Sequence, residues 1–194
     1  MIKAVIFDCF GVVVADALSG MTRQLYVDQP ELEAQVCALL DQANSGQITS
    51  EQSSIRMAVI LGLSHADYRA QIQQNEVRNQ QLLDYILSLR QNYKIALLSN
   101  IPRGSLKRRF SDQELQTYFD AVVASGDVGY AKPEPQAYEI TAERLGVRLD
   151  ECVFTDDREH YCEGARAVGM QAILYQDFTR FRRDLEAVLS QPEK

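Results

Sequence analysis

The feature that most constrains this 194-residue chain is a succession of short apolar runs without strict alternation: Ile2 to Phe7, Ile95 to Leu98, Ala121 to Ala124, Val153 to Phe154, and Ala172 to Tyr175. Runs of this length and β-branched content read as strands buried on both faces, since a strand with one wet face would alternate. Helical patterns separate them, among them Leu82-Leu83-Ile86-Leu89 and Tyr138-Ile140-Thr141-Leu145, the second followed by Gly146 as a helix C-cap. Strands alternating with helices imply an α/β fold with a parallel sheet. The alternation breaks from about Ala15 to Gln80, where PELEAQVCALLDQANSG and SEQSSIRMAVILG look helical and no strand-like run divides them. This stretch reads as a helical insertion, so the expected core is residues 1–14 and 81–194, with an inserted unit at 15–80.

Composition limits the function classes. Hydrophobic residues at 46% and charged residues at 24% are ordinary globular usage. A net charge of -7 argues against a nucleic-acid binder, which would present a basic face to phosphates. Cys9, Cys37, Cys152 and Cys162 show no C-x-x-C spacing, so neither a zinc site nor a disulfide framework is expected. The start MIKAVIFDCFGVVV has one lysine and an apolar run broken by Asp8, which reads as neither a signal peptide nor a membrane span. A cytoplasmic protein with no membrane partner is the expectation.

In an open parallel sheet, ligands gather beyond the carboxyl ends of the strands, so polar residues just after strands are informative. Asp8 follows the first run, Ser99 and Asn100 the second, and Asp156 and Asp157 the fourth. Lys132 lies beyond the third, in GYAKPEP, where Pro133 and Pro135 stiffen the backbone. Three carboxylates, a hydroxyl and an ammonium are thus expected at one edge. Carboxylates held together raise one another's pKa unless a cation intervenes, and hard oxygen ligands suit Mg²⁺.

The ordered segments FDCFGVV, LLSN, GYAKPEPQAYE and VFTDDREHYCEGARAVGM resemble the four motifs of the haloacid dehalogenase superfamily, over residues 1 to about 175. The resemblance implies a Rossmann-like parallel-sheet core with a small α-helical cap, and a hydrolase working through an aspartyl intermediate on Asp8. It implies that Ser99 hydrogen-bonds the transferring group and that Lys132 holds both the nucleophile and phosphoryl oxygens. It further implies that Asp156 binds Mg²⁺ together with Asp8 and the Phe10 backbone carbonyl, with Asp157 ligating or orienting. Asn100, Ser99, Lys132 and Arg103 are the expected substrate-binding residues, and a small phosphorylated metabolite the expected substrate.

One position departs from the phosphatase pattern. Two residues after the nucleophile that branch carries a second aspartate, which protonates the leaving oxygen; here the residue is Phe10. General acid–base help contributes about 10²–10⁴ in rate, or roughly 3–5 kcal/mol of barrier. An aromatic residue there resembles the haloacid dehalogenases, whose halide leaves without a proton. Those enzymes, however, carry neutral residues where this chain has Asp156 and Asp157, and the acidic pair favours metal and phosphate. The aspartate usual four or five positions later is replaced by His160 and Tyr161. A Schiff-base phosphonate hydrolase is excluded, because no lysine occurs between Lys3 and Lys94. Three readings follow: a Mg²⁺-dependent phosphatase for substrates with a good leaving group, such as an anomeric sugar phosphate; a catalytically impaired relative that binds a phospho-ligand or partner; and a 2-haloacid dehalogenase. His160 is a candidate substitute proton donor. The arginines Arg23, Arg56, Arg69 and Arg78 of the insertion are candidate specificity groups.

Overall fold

The structure, a computed structural model, describes residues 1–190. Five strands form one sheet: β1 (Ala4–Phe7), β2 (Lys94–Ser99), β3 (Ala121–Ala124), β4 (Cys152–Asp156) and β5 (Gln171–Leu174). All neighbouring pairs are parallel, in the order β3-β2-β1-β4-β5, so the chain reverses its direction of travel across the sheet beside β1. Four helices lie between β1 and the next core helix: α1 (Ala17–Asp28), α2 (Pro30–Asn44), α3 (Ser50–Ile60) and α4 (His65–Asn75). The remaining helices are α5 (Gln80–Leu89), α6 (Asp112–Tyr118), the single turn α7 (Ser125–Val128), α8 (Pro135–Leu145), α9 (Glu159–Ala167) and α10 (Phe178–Leu189). Short 3₁₀ turns occupy Ser105–Arg108 and Leu149–Glu151.

The strands lack alternation because both faces of the sheet are covered. Val5, Phe7, Ile95 and Leu97 point to one layer, where Leu82, Leu83 and Ile86 of α5 and Phe181 and Leu185 of α10 bury them. Ala4, Ile6, Ala96 and Leu98 point to the other, against Ala137, Tyr138 and Leu145 of α8. Each of these side chains stabilises the fold by removing apolar surface from water, about 1.5–3 kcal/mol for a fully buried Leu, Ile or Phe. Gly146 ends α8 in the left-handed conformation, φ 66°, which a glycine adopts without steric cost.

The α1–α4 segment has a separate small core of Val36, Leu39 and Met57, with Leu18, Tyr26, Ile60 and Tyr68 packed against it. Its sequence reading anticipated α2 and α3 but neither α1 nor α4. The reason is visible in α4, HADYRAQIQQN, which buries no residue fully and so carries little apolar periodicity. Among the described residues, no helix is long and apolar enough to cross a membrane.

Candidate active site

Strand register brings the polar edge together. Phe7 pairs with Leu97 on one side and with Thr155 on the other, so the next residues, Asp8 and Asp156, come level on adjacent strands. The Asp8 N–H continues the ladder by donating to the Thr155 carbonyl at 2.9 Å. Lys132 arrives from the loop before α8 and donates to Asp8 Oδ1 and to Asp156 Oδ2, each at 2.5 Å. All three side chains are almost wholly buried. A buried ammonium is tolerated only with partners, and two carboxylates supply them.

The lysine is fixed by its own backbone. Asn100 Nδ2 donates to the Lys132 carbonyl and the Lys132 N–H donates to Asn100 Oδ1, both at 2.8 Å. This reciprocal pair ties the end of β2 to the lysine loop. The Asn100 amide nitrogen also lies 3.3 Å from the Tyr161 hydroxyl, and Lys132 Nζ sits 4.9 Å from the Tyr161 ring centre. Asn100 therefore holds the lysine loop in place, a contact its position after a strand did not reveal.

Asp157 completes an acidic group in which Asp8, Asp156 and Asp157 each offer an oxygen within 4.8 Å of the others. Its carboxylate rests against Gly11, where an added Cβ would stand 2.3 Å from Asp157 Oδ2. Gly11 also has φ +85°. Burial first, and the Asp156 charge next, push the Asp8 carboxyl up to about 7 in spite of Lys132. The same two causes push Asp157 up to about 6. Lys132 is held above the ordinary ammonium value: burial opposes its charge, but Asp8 and Asp156 outweigh burial. One cation among three carboxylates leaves an excess of negative charge, and this donor set of hard oxygens fits a divalent cation such as Mg²⁺.

These residues open onto a cavity of about 800 Å³ between the sheet edge and the α1–α4 segment. Asp8, Phe10, Ser99, Asn100, Lys132, Asp156 and Asp157 all line it. The Ser99 hydroxyl is fully buried and has no hydrogen-bond partner, although such a group costs about 1–3 kcal/mol when left unsatisfied. An acceptor in the cavity would satisfy it. Phe10 is half-buried and lies beneath the Arg109 guanidinium, 4.8 Å from its ring centre.

Two of the candidate residues lie away from the cavity. Arg103 does not line the cavity; its side chain is 76% exposed and pairs with Asp127 at 3.3 Å, because the turn after Ile101 directs it outward. His160 is exposed at the start of α9 beside Tyr161, with ring centres 4.0 Å apart, and it is Tyr161 that faces the cavity. Of the four arginines singled out in the insertion, Arg69 and Arg78 reach the cavity, whereas Arg23 and Arg56 do not. Sequence reasoning missed Arg108 and Arg109, since an arginine run in a loop reads as a solvated surface; only the register of the turn shows that they face inward.

A family model for haloacid dehalogenase-like hydrolases matches residues 2–169. The chain is 47% identical over 60 residues to phosphatase MT3486 of Mycobacterium tuberculosis, a match covering 31% of this chain and 28% of that one. It is 42% identical over 59 residues to the fructose-1-phosphate phosphatase YqaB of Escherichia coli, covering 30% and 31%. The matched segments thus span less than a third of these curated relatives. Its fold is similar to that of the HAD family enzyme bt-2542 of Bacteroides thetaiotaomicron, solved in complex with magnesium and inorganic phosphate, with a TM-score of 0.72 at 22% identity over 93% of this chain and 99% of that one. Ordered motifs, the parallel sheet and a family match over most of its length agree, and the chain belongs to the haloacid dehalogenase-like hydrolases.

Proposed function

We propose that this chain is a Mg²⁺-dependent phosphatase acting on a small phosphorylated metabolite whose leaving group is stable as an anion. The observation that carries this reading is the buried Asp8–Lys132–Asp156 cluster beneath the unpartnered Ser99 hydroxyl. Its phosphatase relatives and the magnesium and phosphate bound by a structural neighbour support the same reading. Residues 15–80 are assigned as the cap, and residues 1–14 and 81–194 as the catalytic core.

Asp8, Asp156 and the Phe10 carbonyl, with Asp157 ligating or orienting, would hold the Mg²⁺. When bound, the ion withdraws charge from the phosphoryl oxygens and keeps the nearby carboxylates ionised. Asp8 then attacks phosphorus as the bond to the leaving oxygen breaks, giving an aspartyl phosphate. Lys132 and Ser99 donate to the phosphoryl oxygens and hold them in line. Phe10 provides no proton, so the leaving oxygen departs as an anion. Water next attacks phosphorus, breaks the acyl phosphate bond and regenerates Asp8 with release of inorganic phosphate.

The test is phosphate release from p-nitrophenyl phosphate, whose leaving group needs little protonation, with and without Mg²⁺. Metal-dependent release by the wild type, lost in a folded Asp8→Asn protein, is expected. Turnover by Asp8→Asn within about tenfold of wild type would remove Asp8 from the role. Chloride release from a 2-haloacid without metal would instead identify a dehalogenase, the reading that Phe10 alone favours. A folded protein that binds phosphate but turns over neither substrate would be the impaired relative.

A further inference from the structure

Away from Asp8, Asp156 and Asp157 the cavity wall carries Asp16, Glu33 and Glu76 and a group of arginines. Arg69 from α4, Arg78 from the segment before α5, and Arg108 and Arg109 from the turn after β2 all line it. Two of the four are neutralised. Arg109 pairs with Glu76, both side chains being nearly buried, and Arg78 pairs with Glu114 at 2.5 Å. Among the described residues, Arg69 and Arg108 pair with no carboxylate. Arg108 is exposed and has one polar partner, the Ser50 hydroxyl at 2.5 Å. That hydroxyl also accepts from Ser105 at 2.9 Å, so α3 of the cap and the core turn meet at this point. Burial, then the Arg109 and Arg69 charges, hold Arg108 below its ordinary value, while Glu76 and Glu51 only partly offset them.

Arg69 and Arg108 thus present two guanidinium groups to the cavity with no carboxylate bonded to either. Their planar forks match the oxygens of carboxylates and phosphates. A volume of about 800 Å³ also exceeds the needs of one phosphoryl group and suits a whole small metabolite.

We infer that Arg69 and Arg108, with Ser50, form a second anion subsite, and that the natural substrate carries on its leaving half a phosphate or carboxylate besides the phosphoryl group that faces Asp8. The assignment of which group faces Asp8 rests on the phosphatase reading. The subsite also explains how Phe10 is tolerated. Arg108, next to the Glu76-paired Arg109 that stacks over Phe10, places positive charge beside the leaving half where no proton is available.

The experiment titrates the folded Asp8→Asn protein, with Mg²⁺ present, by calorimetry against glucose 1-phosphate, glucose 1,6-bisphosphate and glucuronic acid 1-phosphate. At least one doubly anionic ligand is expected to bind about tenfold or more tightly than glucose 1-phosphate, and which one does so separates phosphate from carboxylate. The advantage should disappear in an Asp8→Asn protein that also carries Arg69→Gln and Arg108→Gln. Equal affinities for all three ligands in the Asp8→Asn protein would overturn the subsite without any need of the arginine variants. So would an advantage that survives the two arginine substitutions. Failure of the phosphatase reading is distinguishable, because it appears as absent phosphate release by the wild type while the ligand ranking stands.

Discussion

The proposed chemistry turns on Phe10. Its ring lines the cavity under the Arg109 guanidinium and can give no proton, so the rate is expected to depend steeply on leaving-group pKa. Aryl, acyl and anomeric phosphates should turn over, and simple alkyl phosphates hardly at all. Phe10→Asp should then raise activity on alkyl phosphates more than on p-nitrophenyl phosphate, which a series of substituted aryl and alkyl phosphates would measure. A shallow dependence in the wild type would show that another group donates. Exposed His160 stands outside the cavity, so the Tyr161 phenol would be the first to replace, by Phe. Gly11 offers a second test. Its φ of +85° and the 2.3 Å between an added Cβ and Asp157 Oδ2 mean that Gly11→Ala must displace the carboxylate. Mg²⁺ affinity, read from the metal dependence of turnover, is expected to weaken by about tenfold or more, and unchanged affinity would exclude Asp157 from holding the ion. Asp8, Ser99, Lys132 and Asp156 were legible in the sequence because each directly follows, or ends, a recognisable strand or lies in a proline-stiffened loop. Asn100 was legible as a position at the end of a strand, but its pair of hydrogen bonds to the Lys132 backbone was not.

Among the elements, the strands and α5 and α8 were legible because burial imposes a pattern on them, whereas α4 buries nothing fully and left no pattern to read. Contacts between the insertion and the core are correspondingly polar, and sequence periodicity is silent about such contacts. Arg78, just before α5, bonds Glu114 in the first turn of α6, and Glu114 also accepts from the Ser111 N–H at 2.8 Å. The Arg78 hydrogen bond, then those from Ser111, pull the Glu114 carboxyl from 4.5 to about 2. In the unfolded chain the carboxyl titrates normally, so between these values the unfolded state binds more protons. The stability that Glu114 contributes is therefore present above pH 4.5 and is lost as pH falls toward about 2. Denaturation of wild type and Glu114→Gln in urea should show a gap at neutral pH that closes as the solution is acidified through this window. A gap independent of pH would mean that packing, not charge, holds α6 to this point. The effect should be modest, because both partners are more than a third exposed.

At the scale of the whole molecule, the site concentrates negative charge within an already acidic protein: a net charge of -7, and three carboxylates at one edge of the sheet, of which Asp8 and Asp156 share Lys132. Bringing them together is what the fold achieves by placing β1 and β4 side by side, and a divalent cation would relieve the resulting repulsion. Without metal, burial first and the Asp156 charge next favour the protonated forms, which puts Asp8 at about 7 and Asp157 at about 6. Because these values are raised above those of the unfolded chain, the metal-free native state binds the extra protons at mildly acidic pH. That stabilisation is fully present below the unfolded value of 3.8, falls as pH rises above it and is gone above about 7. Mg²⁺ must displace the same protons to bind, so its affinity has the opposite dependence. The increase in Tm produced by a fixed Mg²⁺ concentration is therefore expected to be small near pH 5 and to reach its full size above about pH 7. Taking the difference between melts with and without metal cancels the titration of every carboxylate remote from the site, Glu114 included. Asp8→Asn should flatten the remaining dependence as well as lower its size, since it removes both the most strongly raised carboxyl and one anionic ligand. A Tm increase that is equal at the two pH values in the wild type would mean that Mg²⁺ binds elsewhere, and that Lys132 alone balances the charge of Asp8 and Asp156.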